Sequence, residues 1–185
     1  MTPLVQSVTD LLSLLTVLGG ALFVFLSLAL LARKMGFAHG VFESALGFFG
    51  KRALLFSFLV ALAGVISSLF YSEVAGFPPC VLCWWQRIFL YPQVIILGLA
   101  LVRKEAAARI YALVLSAAGS LVAAYHSYIF FAGSESTVCP AGVASCTQQF
   151  FMEYGYVAIP TMSLTAFLLI IVFLLAGAAA RKPAG

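Results

Sequence analysis

Of 185 residues, 64% are hydrophobic and 9% charged. A water-soluble domain, about a quarter charged, is excluded, and what remains is an integral membrane protein with room for one helical bundle. The formal charge of +4 does not describe a nucleic-acid surface: the basic residues stand beside hydrophobic spans, where orientation signals belong, and no nucleic-acid partner is expected.

Leu11 to Ala32 is uncharged and about 22 residues long, enough to cross a hydrocarbon core of roughly 30 Å. A secretory signal carries basic residues ahead of a shorter apolar core and a small-residue cleavage site behind it. Here Asp10 precedes and Arg33-Lys34 follow, so a retained span with an external N-terminus is expected. The segment from Arg33 to Arg52 holds four basic residues and one acid, Glu43. Phe42, Leu46 and Phe49 form one face of a short interfacial helix there, or else the segment is an irregular loop.

Ala53 to Ser72 is the second span, with Ala63, Gly64, Ser67 and Ser68 as small surfaces for helix approach. The third runs from about Cys83 to Val102, with Trp84 and Trp85 at its mouth as an interfacial belt. Pro92 inside it is expected to kink the helix and free a carbonyl. Arg103, Lys104 and Arg109 close a short hairpin before the fourth span, Ile110 to Phe131, where Ala112, Ser116, Ser120 and Ala124 repeat on a close-packing face. Between Ala132 and Ile159 lie Glu135, Glu153 and two cysteines, without Lys or Arg. Gln148 to Tyr154, stopped by Gly155, is expected to be a short helix laying Phe150, Phe151 and Tyr154 on the membrane surface. Pro160 opens the fifth span, which reaches about Ala180 and ends at Arg181-Lys182. Counting basic residues by loop puts the cysteine-bearing loops outside, where disulfides persist, and the C-terminus in the cytosol.

The chemistry concentrates in Gly76-Phe77-Pro78-Pro79-Cys80-Val81-Leu82-Cys83-Trp84-Trp85-Gln86-Arg87. Two prolines begin a helix more readily than they continue one, so Cys80 and Cys83 fall at a helix N-terminus. Free backbone N–H groups and the positive end of the helix dipole there favour thiolate over thiol. Arg87, four residues past Cys83, is expected to reach back toward the Cys83 sulfur. At 1.5 Å per residue Arg87 lies about 6 Å and His126 about 7 Å deep, so arginine, histidine and thiol share one level. Together they suit a polar head on a lipid tail, and a quinone fits that description.

Other readings stand beside this one. Cys80, Cys83, Cys139 and Cys146 allow three disulfide pairings. They also suit a thiolate metal site, or two structural disulfides in a non-catalytic scaffold, although an oxidising compartment works against four free thiolates and a three-residue ring closes little loop entropy.

The string from Pro79 to Ile88 with Tyr91-Pro92, Tyr125-His126, the Cys139 to Cys146 loop, Tyr154-Gly155-Tyr156 and Ile159-Pro160 resembles the DsbB family of membrane disulfide-forming oxidoreductases, nearest its shorter BdbC-type branch. The resemblance implies an all-α integral membrane fold: a DsbB-like four-helix redox domain over residues 53–185, with residues 1–52 adding an extra N-terminal transmembrane helix and a cytoplasmic loop. This makes five spans in a bacterial inner (cytoplasmic) membrane.

It also implies a relay. Cys139 forms the mixed disulfide with a DsbA-like thioredoxin-fold partner on the outer side, and Cys146 resolves it. Cys80 and Cys83 receive the electrons through a transient Cys80 to Cys146 link. Cys83 passes them to ubiquinone or menaquinone, with Gln86, Arg87 and His126 as the cofactor-binding residues. A strongly oxidising partner near -120 mV stands roughly 8 kcal/mol above a stable structural disulfide below about -300 mV. A helix terminus supplies at most about 2 kcal/mol, so an exergonic electron acceptor is required.

Overall fold

The computed structural model describes residues 2–37, 40–105, 107–133, 138–139 and 145–181; Glu135 and Lys182 fall outside them. Thr2 caps the first helix, α1 (Pro3–Lys34), its Oγ1 accepting from the Val5 N–H at 3.4 Å, and Pro3 supplies a preset first-turn φ. α1 thus begins well before the uncharged core of its span. A short helix follows, α2 (Val41–Lys51). Leu46, fully buried, packs with Phe42 and Phe49 against Leu26 of α1 and Phe173 farther along the chain. The expected amphipathic face therefore forms, but it is covered by protein.

The remaining helices are α3 (Ala53–Leu69), α4 (Val81–Arg103), α5 (Ala108–Ala132) and α6 (Ile159–Ala179). α3 widens into a π turn over Phe70–Val74, and α4 is continuous through Pro92. Five helices are long and apolar enough to span a membrane, counting α3 with its π turn. The described residues contain no strand, only an isolated bridge between Glu153 and Val157.

α3, α4, α5 and α6 close a ring in which each packs on the next and α6 returns to α3. α6 is the most buried of the long helices, because α1 and α2 also rest on it. The ring closes tightly where α5 meets α6: a Cβ added at Gly119 would lie 2.4 Å from the Phe167 ring. Only glycine admits that fully buried phenylalanine at this separation. Ser116 and Gln93 are paired within the ring, Ser116 Oγ donating to Gln93 Oε1 at 2.9 Å and Gln93 Nε2 to the Phe89 carbonyl at 2.9 Å.

The segment from Gln148 to Tyr154 is not the expected helix. Glu153 and Val157 pair across a tight turn in which Tyr154 (φ 51°) and Gly155 (φ 76°) both take the left-handed conformation. Two successive positive φ values reverse the chain within one bridge and leave no room for a helical turn. Phe150 and Phe151 turn inward, stacking on Phe77 at 4.2 Å and Tyr71 at 5.4 Å, while Tyr154 stays exposed.

Candidate redox site

Gly76 through Pro79 is irregular, and Cys80 is the N-cap of α4, with φ -74° and ψ 170°. Its Sγ occupies the position of a capping oxygen, accepting from the Cys83 N–H at 3.3 Å. The Cys83 sulfur lies 2.9 Å from that of Cys80. On the other side, His126 Nε2 approaches Cys80 Sγ at 3.7 Å. The hydrogen bond from Cys83, helped by His126 and opposed by burial, holds the Cys80 thiol at about 4, far below the ordinary thiol range.

Two contacts define the state of His126. Gln86 Nε2 donates to Nδ1 at 2.9 Å, and Nε2 donates to the Cys146 carbonyl at 3.1 Å. A carbonyl only accepts and an amide nitrogen only donates, so Nε2 is the donor of the ring and Nδ1 its acceptor. The same N–H faces Cys80 and Cys146. Cys146 is joined to Cys139 in a disulfide, while Cys80 and Cys83 are free thiols. All four cysteines belong to one packed cluster with Leu82 and Ile129.

Arg87 lies on a different side of α4. Its Nη2 donates to the Ser68 carbonyl at 3.1 Å, and its guanidinium sits over Trp84 at 5.2 Å. This carbonyl stands just before α3 widens to π spacing and also accepts from Ser72 Oγ at 3.2 Å, while Arg87 and Cys83 line the same cavity. Gln86 and Arg87 are consecutive, hence about 100° apart around the helix. One faces α5 and the other α3, so His126 and Arg87 do not share a face.

Between α3, α4, α6 and α1 lies a cavity of about 450 Å³, lined by Cys83, Gln86, Arg87 and Ser68 at its polar end and largely by apolar side chains elsewhere. His126 is not on its wall; it borders a gap of about 20 Å³ with Cys80, Cys83 and Cys146. Of the residues singled out from sequence, Cys83, Gln86 and Arg87 meet the large cavity, and Cys80, His126 and Cys146 meet one another behind it. Sequence reasoning missed Tyr71, which lines the cavity and stacks on Phe77 and Phe151. It took Ser68 for a packing residue only, and no motif distinguishes a serine whose carbonyl is used.

The ligand atoms of Cys80, Cys83 and His126 lie within 4.8 Å of one another, close enough for a metal. A four-cysteine site is not assembled, because Cys139 and Cys146 are bonded together, and His126 Nε2 already carries a proton directed at a carbonyl.

Residues 50–181 match the family model described as Disulfide bond formation protein DsbB. The chain belongs to the DsbB family. It is 42% identical over 120 residues to the SPbeta prophage-derived disulfide bond formation protein B of Bacillus subtilis (strain 168), covering 65% of this chain and 81% of that protein. It is 37% identical over 125 residues to the probable disulfide formation protein C 2 of Bacillus anthracis, 67% of this chain and 89% of the relative. It is also 37% identical over 123 residues to the disulfide bond formation protein C of Bacillus subtilis (strain 168), 64% and 86%. No solved structure matches. DsbB membership implies thiol oxidation at a membrane, and the DsbB match begins one residue before the end of α2, leaving α1 outside it.

Proposed function

We propose that this protein reoxidises a DsbA-like thioredoxin-fold partner on the outer side of a bacterial cytoplasmic membrane and delivers the electrons to a membrane quinone. The observation that carries the reading is the packing of two cysteine pairs into one cluster, with Cys83 alone of the four also lining the large cavity.

The exchange is a series of thiol–disulfide steps in which each attack expels one sulfur. A reduced partner's thiolate attacks Cys139, its second thiol releases the partner as a disulfide, and Cys139 and Cys146 are left as thiols. With the inner pair oxidised, Cys146 attacks Cys80 and Cys83 departs. Cys139 then attacks Cys146, restoring the outer disulfide and expelling Cys80. A thiol held at about 4 is a good leaving group, so this second step runs outward from Cys80. His126 serves both steps: one N–H steadies the Cys80 sulfur and holds the Cys146 backbone beside it. Gln86 maintains that tautomer. Once the loop pair is oxidised again, the two electrons would be held by Cys80 and Cys83 as thiols.

The cavity fits a quinone on its own chemistry. Arg87 Nε is buried and, among the described residues, has no hydrogen-bond partner. It stands with Gln86 as a donor at the polar end of an otherwise apolar space, as a ring carbonyl with a hydrocarbon tail requires. When bound, a quinone supplies a two-electron, two-proton acceptor. Cys83 would face it, Arg87 and Gln86 would hold it, and the four-helix ring of residues 53–185 would be the redox unit. Purified protein in lipid vesicles, given a reduced thioredoxin-fold dithiol protein and a quinone, should consume one quinone per dithiol oxidised. No consumption would favour a scaffold held by structural disulfides, and stoichiometric zinc in the purified protein would favour the metal reading.

A further inference from the structure

We infer that α1 selects the quinone by its tail, with Leu12, Leu15 and Thr16 as the specificity-determining contacts; this rests on the quinone reading above. Leu12, Leu15, Thr16 and Leu22 all line the large cavity. Their spacing keeps them on one helical face, and ten residues of α-helix extend it about 15 Å below the level of Leu12. The charged and amide lining, Arg87 and Gln86, stands near Ser68, whereas Leu22 stands with Phe49, Phe56 and Phe173 among the apolar lining. The space thus has a head end and a tail end, and α1 runs along the tail.

α1 is fixed in place. Near its outer end Tyr71 Oη donates to Thr9 Oγ1 at 3.4 Å, and both side chains are buried. At mid-helix a Cβ added to Gly19 would lie 2.9 Å from Leu169 Cδ1, so glycine allows close approach to α6. Farther in, Leu26 and Ala29 pack with α2 and α6.

This wall is additional to the matched unit. The Bacillus anthracis relative has 125 residues aligned, 89% of its length. That leaves about 15 residues, fewer than a membrane-spanning helix needs. With such a wall absent, that side of the cavity would open toward lipid; with α1 present, the tail lies against protein and its shape can be discriminated.

The test uses the full chain in lipid nanodiscs and two probes, a benzoquinone with a decyl tail and the same ring with a methyl group. Binding is read by quenching of Trp84 and Trp85 fluorescence. Thr16→Phe and Leu12→Phe should weaken the decyl ligand on the order of tenfold while changing the methyl ligand less than about twofold. Leu18→Phe, on the exposed side of α1, should change neither. Equal weakening of both ligands, or of neither, overturns the role of α1. Wild type that binds neither ring fails the quinone reading itself. Independently of any variant, a diazirine at the tail end should mark α1 between residues 12 and 22 in wild type; adducts confined to α3, α4 and α6 overturn the inference.

Discussion

The thiolate of the inner pair should reside on Cys80 and should depend on Cys83 more than on Arg87. Cys83 lies 2.9 Å from the Cys80 sulfur, His126 Nε2 lies 3.7 Å away, and the closest hydrogen bond of Arg87 is to Ser68. A hydrogen bond to a charged group contributes about 1.5–3 kcal/mol, and each pKa unit corresponds to about 1.36 kcal/mol. Cys83→Ala should therefore raise the Cys80 midpoint from about 4 by roughly 1–2 units. His126→Ala, removing a longer contact, should raise it by under about one unit. Arg87→Met should leave it in place. Thiolate ultraviolet absorbance across a pH titration of each purified variant measures the midpoint, with alkylation rates by a small reagent as a check. The sign is fixed: the folded value lies below the unfolded one, so the thiolate stabilises the fold at neutral pH and that contribution is lost as pH falls through about 4. An Arg87→Met midpoint that moved as far as that of Cys83→Ala would refute the argument and return control of the thiolate to the guanidinium.

Cys83→Ser should abolish quinone reduction, whereas Cys139→Ser should keep quinone binding and lose turnover with a protein dithiol; normal turnover by Cys139→Ser would reverse the relay order. Arg87→Lys should retain less quinone affinity than its preserved charge suggests, since the planar fork now divided between the Ser68 carbonyl and the cavity is lost, and quinone Michaelis constants check this. Gly119→Leu should prevent accumulation of folded protein, because even a Cβ overlaps the buried Phe167 ring, with membrane expression and detergent-resistant monomer as the measurement. For orientation, single cysteines at Met35 and Tyr156, placed in a chain with Cys80 and Cys83 replaced by alanine, should differ in labelling by an impermeant maleimide added outside, only the second reacting. Equal labelling would remove the case for an external N-terminus.

The helices were legible because each depends on local features: an uninterrupted apolar run, proline at a first turn, basic residues at an end. The N-cap role of Cys80 follows from Pro78-Pro79 in the same way. The turn at Tyr154 and Gly155 was misread as a helix stop because a positive φ at a tyrosine is not announced by residue type. The inward aromatic stack from Phe77 to Phe150 depends on loops that meet only after the bundle closes. Depth along a helix can be counted from sequence, and the count agrees with the contact between His126 and Gln86, the neighbour of Arg87. Rotation relative to neighbours cannot be counted, since it depends on which helices close the ring.

That rotation is what separates the two halves of the chemistry. If His126 and Arg87 faced one space, the imidazole N–H and the guanidinium would compete for the same acceptor, and Cys146 would have to enter the apolar cavity to reach Cys80. Because Gln86 and Arg87 diverge by about 100°, polar contacts to the outer disulfide form on the α5 side and the hydrocarbon cavity on the α3 side. Cys80 and Cys83, three apart at the first turn, straddle the division: the first sulfur meets His126 and the second lines the cavity. In the proposed relay, electrons would cross α4 by the making and breaking of one short disulfide, with the loop disulfide on one side of the helix and the apolar cavity on the other.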